Sequence, residues 1–310
     1  MGGEVSKSNR ADEELKILAH ARSRYNDIFI LQNGNLREMW FKGGGDFYLQ
    51  SRIDLANPQK LVLVYSRLSM AALLFRQTPR RIFVMGLGGG VLPAALTRWF
   101  PSARVDVVEI DRKVLRLCRR YFSLPDTPSL RVHTEDGRRF IERQQGRVQY
   151  DLIFLDAFKS GSIPFHLKTV EFYRELKALL TPDGVLTSNL YGPSNTHKPT
   201  DWKTMAAEFE QLYGFEDPDG TATVAVCTRH RERWDDAVLR ERAARYPKPF
   251  GMDLDLEALA AMHVGDRYAA QPTARPFEDA YQAGDRKKVI DNNNRLEPVG
   301  KIPYSIRNLH

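Results

Sequence analysis

Cysteine is scarce: Cys118 and Cys227 are the only two among 310 residues, far apart and in no CxxC pairing. A disulfide framework and a structural zinc site both lack material. The seven histidines form no ligand spacing with them, so no metal is expected. Long apolar runs are also missing. The longest, Leu61 to Phe75, is interrupted by Arg67 and is too short to cross a bilayer, so no membrane partner is expected. The opening stretch MGGEVSKSNRADEELK has no apolar signal core and carries acids that transit peptides avoid, so a cytoplasmic location is expected. What remains is ordinary globular composition, 42% hydrophobic and 27% charged. The net charge is +7, from 46 basic and 39 acidic residues. Six Lys or Arg against three acids fall between Gly284 and His310, a basic tail. That balance permits a nucleic-acid or anionic partner without demanding one, and no RNA-binding motif accompanies it.

The organisation is legible from periodicity. NDIFILQ, the Asn33-Gly34 turn, NLREMWF and then DFYLQSRI predict three strands, a small β cap over residues 1–60. Pro58 opens a run with Leu61, Val64, Leu68, Ala72 and Phe75 at helical spacing, which predicts one helix. From Arg81 five short apolar runs alternate with amphipathic ones, the last pair being GVLTSNLYG and WKTMAAEFEQLY. This predicts an α/β domain over 61–232, a Rossmann-like, doubly wound and mostly parallel sheet. TATVAVCTRH follows an Asp-Pro-Asp-Gly turn with no helix between, so it is expected to enter the sheet antiparallel to its neighbour. Residues 233–310 read as an extension with one helix-like stretch, DLDLEALAAMH.

The first strand of this domain runs into Gly86-Leu87-Gly88-Gly89-Gly90-Val91 and directly into a helix. In a doubly wound sheet, glycines at that place let the backbone approach a ligand closely. The next strand ends in Glu109, about two dozen residues on, where an acid commonly bonds ribose hydroxyls. Val91 stands where the dinucleotide fingerprint has its third glycine, and no Gly-Lys-Ser/Thr follows, which disfavours nicotinamide cofactors and nucleoside triphosphates. A sulfonium cofactor needs only the turn, a ribose acid and an adenine partner. Asp136-Gly137 supplies the last, or Asp136 simply caps the following helix. Asp156 ends the fourth strand at the same edge. It is placed to take a proton from an attacking amine or to hold a cationic substrate, or else to cap a loop. The segment Lys159 to His166 reads as a closing loop or as ordinary surface.

RSRYNDIFIL, YLQS, Tyr65, GLGGGVL, VVEID, EDGRRF and YDLIFLDAF, in this order, resemble the spermidine synthase (polyamine aminopropyltransferase) family over residues 22–230. The resemblance implies a domain of the S-adenosylmethionine-dependent methyltransferase type behind a small N-terminal β domain, and a homodimer. It implies that Gln50, Glu109 and Asp136 bind the nucleoside of decarboxylated S-adenosylmethionine. Asp156 would be the catalytic acid and Tyr65 the pocket tyrosine that orients the amine. Three positions depart from the family pattern. Gly88 stands where the glycine turn usually carries Asp, Lys159 stands where a second Asp follows the first, and Glu216 or Asp217 stands near an absent tyrosine. The pattern is closest to the divergent, spermidine synthase-like branch. Aminopropyl transfer to putrescine or another amine, releasing 5′-methylthioadenosine, is therefore the leading expectation. Methyl transfer from ordinary S-adenosylmethionine to a small molecule, protein or RNA is the alternative, and a non-catalytic binding protein is the third.

Overall fold

A computed structural model describes residues 15–43, 45–157, 163–192, 195–265, 267–269, 274–281, 284 and 286. Lys159, and nearly all of the basic tail, lie outside the described residues.

The chain opens with a four-stranded antiparallel sheet, β1 (Lys16–Arg22), β2 (Asp27–Asn33), β3 (Leu36–Gly43) and β4 (Asp46–Asp54), paired in chain order. Strand periodicity explains how it is placed. Ile28, Ile30, Met39 and Phe41 face the main core, while Phe29, Leu31, Trp40 and Phe47 form a second cluster on the other face. The strand not foreseen is β1, a partly exposed edge whose sequence KILAHAR has no clean alternation.

The expected single helix is two short ones, α1 (Val64–Ser69) and α2 (Ala72–Phe75). The hydroxyls of Ser66 and Ser69 donate back to the Leu63 and Tyr65 carbonyls, and the Met70 and Ala71 amides bond three residues back. Such bonds tighten and bend a helix.

Strands and helices then alternate: β5 (Arg81–Met85), α3 (Val91–Trp99), β6 (Arg104–Val108), α4 (Arg112–Tyr121), β7 (Leu130–His133), α5 (Gly137–Gln144), β8 (Tyr150–Leu155), α6 (Val170–Ala178), β9 (Leu180–Tyr191) and α7 (Lys198–Ala206). A tight 3₁₀ turn over Phe165–Leu167 precedes α6. Two more strands, β10 (Gln211–Glu216) and β11 (Thr223–Thr228), complete a seven-stranded sheet of order β10-β11-β9-β8-β5-β6-β7. The five strands from β5 to β9 are mutually parallel, and β11 runs antiparallel to both β9 and β10. The strand TATVAVCTRH thus enters as expected, but Gln211–Glu216, whose first three residues were expected to end a helix, is its hairpin partner. Asp217 holds that hairpin turn, accepting from the Ala222 amide at 2.6 Å and the Thr221 hydroxyl at 2.9 Å.

Two further helices, α8 (Asp236–Ala244) and α9 (Leu256–Ala261), add Leu239 and Leu259 to the apolar core shared with β5 and α3. Lys168, just before α6, and Asp201 of α7 form a buried ion pair at 2.9 Å, with both side chains at most 3% exposed. The strand order reverses between β5 and β8, so the chain leaves their adjacent carboxyl ends toward opposite sides of the sheet, and a crevice opens where such folds bind ligands.

Candidate active site

A cavity of about 490 Å³ occupies that crevice, closed on its far side by β4 and α1. Gln50, Tyr65, Gly86, Gly88, Glu109, Asp136, Gly137 and Asp156 all line it, whereas Gly89 and Gly90 do not.

The glycine turn divides into two roles. Gly86, at φ 97°, lets β5 and β8 converge: a Cβ there would lie 2.2 Å from the Asp156 carbonyl oxygen. Gly88, at φ 51°, faces the cavity with room to spare, since the nearest atom to an added Cβ is the Gln50 carbonyl oxygen at 3.6 Å. Gly89 and Gly90 instead serve packing. An added Cβ would meet Ser51 Oγ at 2.6 Å in the first case and Cys118 Sγ at 2.6 Å in the second.

Glu109 is enclosed beneath the turn. It accepts from the Leu87 amide at 3.1 Å and the Asp111 amide at 2.8 Å, and burial nevertheless raises its pKa to about 7. Loss of hydration outweighs the backbone amide bonds from Asp111, Leu87 and Ile110. Asp136 is indeed the N-cap of α5, accepting from the Arg138 and Arg139 amides at 3.0 and 3.2 Å. Its other oxygen meets His166 Nε2 at 3.1 Å, and that bond is the largest of the influences that hold its pKa low. Capping and lining are therefore compatible, because the cap engages Oδ1 alone.

Asp156 is the most isolated of the three carboxylates. Burial raises its pKa to about 7, opposed by hydrogen bonds from Asn189 and Tyr65. Asn189 Nδ2 donates to Oδ1 at 3.1 Å, and the Tyr65 hydroxyl reaches both Asp156 and the Gln50 carbonyl, the latter at 3.3 Å. A carboxyl poised near neutrality and aimed into a cavity has the properties of a general base. Asn189 was not foreseen; its signal was a side-chain amide near the carboxyl end of β9, next to Thr187 and Ser188. Its Oδ1 also accepts from the Tyr191 amide at 3.0 Å, holding Tyr191 at φ 66°, a conformation uncommon outside glycine. Tyr48 and Tyr191 complete this wall.

Glu216 and Asp217 stand away from the cavity. Glu216 binds Arg267, the Tyr268 hydroxyl and Thr223, while Asp217 holds its hairpin turn, so neither replaces the acid missing at Gly88. Two basic side chains, Arg52 and His166, line the cavity among the described residues; Arg52 Nε is bound to Glu38 at 2.6 Å, and His166 meets Asp136 as above. No group of His, Cys, Asp and Glu among the described residues has the arrangement of a metal site, and no described helix is long and apolar enough to cross a membrane.

A parallel sheet with an antiparallel β11 insertion, and a buried acidic cavity at its switch point, place the chain in the methyltransferase-type α/β fold class. The probable spermidine synthase of Corynebacterium glutamicum superposes with a TM-score of 0.67 at 20% identity, covering 86% of this chain and 98% of that one, and so shares the fold. Residues 63–200 match the family model of the spermine/spermidine synthase domain. The polyamine aminopropyltransferase of Vibrio vulnificus is 32% identical over 247 residues, 77% of this chain and 81% of that protein. The chain belongs to the spermine/spermidine synthase family, a family of transferases. It is also 29% identical over 168 residues to the bovine eEF1A lysine and N-terminal methyltransferase, 51% of this chain and 24% of that protein.

Proposed function

We propose that the protein transfers an aminopropyl group from decarboxylated S-adenosylmethionine to a primary amine, putrescine or another polyamine, and releases 5′-methylthioadenosine. One observation carries this reading. Three carboxylates, Glu109, Asp136 and Asp156, line the cavity, and its sole Lys or Arg among the described residues, Arg52, is already bound to Glu38. Such a site attracts a sulfonium, an ammonium and an amine, and repels a ligand that brings its own carboxylate.

Glu109 and Gln50 would hold the nucleoside with Asp136 and Gly137 at the adenine edge, and Gly88 would face the aminopropyl arm. Asp156 then takes the proton from the attacking nitrogen as the new N–C bond forms. The C–S bond breaks, and its electron pair returns to sulfur as an uncharged thioether. Tyr65 and Asn189 fix the carboxylate, and their hydrogen bonds favour its ionised form before the proton arrives. Proximity supplies the rest of the acceleration.

A second reading, methyl transfer from ordinary S-adenosylmethionine, is favoured by Gly88, which brings no acid to confront the methionine carboxylate, and by the methyltransferase relative. Titration calorimetry separates the two. Decarboxylated S-adenosylmethionine binding about tenfold or more tighter than the ordinary cofactor supports aminopropyl transfer; the reverse order supports methyl transfer.

A further inference from the structure

Beside the main cavity lies a second, shallower cleft of about 980 Å³, walled by the β1–β2 turn, the first two turns of α4 and the β7–α5 junction. Its charge is strongly unbalanced. Arg22, Arg24, Arg112, Lys113, Arg116 and Arg139 line it, against Asp111, Glu135 and Asp136. All three acids are committed elsewhere. Asp111 is buried and accepts from Ser23, from Asn26 at 3.1 Å and from the Lys113 amide at 2.9 Å. Glu135 pairs with Arg143, and Asp136 caps α5 and meets His166.

The cations are less occupied. Arg22 shares Asp27 at 3.4 Å, and Arg24 lies over the Tyr25 ring. Arg112, Arg116 and Arg139 are exposed and have no acidic partner among the described residues. Arg112 and Arg116 are four apart on α4, so they share one face, and like charges at that spacing weaken a helix. Their placement therefore has no stabilising account within the protein. Guanidinium groups present paired donors that match phosphate oxygens. The cleft also adjoins the main cavity, since Tyr25, Ile110 and Asp136 line both.

We propose that this cleft is a phosphate-binding site, with Arg112, Arg116 and Arg139 as its ligand groups. The phosphate is either free or carried on a nucleoside whose base occupies the adjoining cavity. The assignment is independent of the aminopropyl reaction.

The test is titration calorimetry of the full chain at low salt with inorganic pyrophosphate and with adenosine 3′,5′-bisphosphate, each repeated with excess adenosine. Binding that weakens about tenfold or more in R112E/R116E, and that falls with added salt, is the expected result. Displacement of the bisphosphate by adenosine assigns the phosphate to a nucleotide; pyrophosphate binding indifferent to adenosine assigns it to a free anion. Both substitutions lie on an exposed helix face, and a thermal melt matching wild type verifies folding. Absence of millimolar binding by either probe, or binding unchanged in the double variant, overturns the proposal.

Discussion

Replacing Asp156 by Asn removes the charge at nearly constant shape, and its consequences for rate and for stability have opposite sign. As the base, Asp156 contributes about 10²- to 10⁴-fold to turnover, or ~3–5 kcal/mol of barrier. Its stability effect follows from burial. A carboxyl raised from its ordinary value of 3.8 to about 7 holds its proton more tightly in the folded protein. Its stabilising contribution is full below pH ~4 and is lost as pH rises through 7. The roughly thousandfold change in ionisation corresponds to ~4 kcal/mol. Asn bears no such penalty, so at pH 8 the variant should be about 2–4 kcal/mol more stable than wild type while nearly inactive. At pH 4 that advantage should vanish. Denaturant unfolding at both pH values, beside initial rates of nucleoside release, reads both quantities. Unchanged turnover, or a stability gain equal at the two pH values, would refute the reasoning.

Tyr65→Phe removes a donor to the ionised form of Asp156, so the carboxyl pKa should rise further and the acid limb of kcat should move to higher pH, with a loss of about tenfold near neutrality, measured in a rate–pH profile. Gly86→Ala forces a Cβ to within 2.2 Å of the Asp156 carbonyl oxygen and should destabilise by about 3 kcal/mol or more, whereas Gly88→Ala meets only ordinary van der Waals contacts at 3.6 and 3.8 Å and should lose only about 1 kcal/mol to its left-handed backbone; thermal melts of the two distinguish them. Lys168→Met leaves Asp201 buried without its cation and should destabilise by about 3–5 kcal/mol in denaturant unfolding.

Much of this architecture was visible in the sequence because its elements repeat. Each apolar run from Arg81 to Tyr191 begins a strand, and each strand ends at the edge where Gly86, Glu109, Asp136 and Asp156 collect. The elements that were missed depend on pairing rather than on local pattern. The β10 strand sits beyond a helical run and is fixed by hydrogen bonds to β11, and β1 is a half-exposed edge. The break between α1 and α2 comes from two serine hydroxyls that turn back on the helix. At the site, residue type gave Asp156 and Glu109. The roles of Gly89 and Gly90 in packing against Ser51 and Cys118 needed coordinates, because those partners lie more than twenty residues away in the chain. The same holds for Asn189, whose side chain reaches Asp156 only because β8 and β9 are neighbours.

The central claim is aminopropyl transfer, and the nucleoside product tests it most directly. Purified protein would be incubated with decarboxylated or ordinary S-adenosylmethionine and a panel of diamines and polyamines, and the released nucleoside identified by mass spectrometry. The account predicts 5′-methylthioadenosine from the decarboxylated cofactor, only when an amine acceptor is present, and little in D156N. S-adenosylhomocysteine from the ordinary cofactor, or no nucleoside from either, would contradict it.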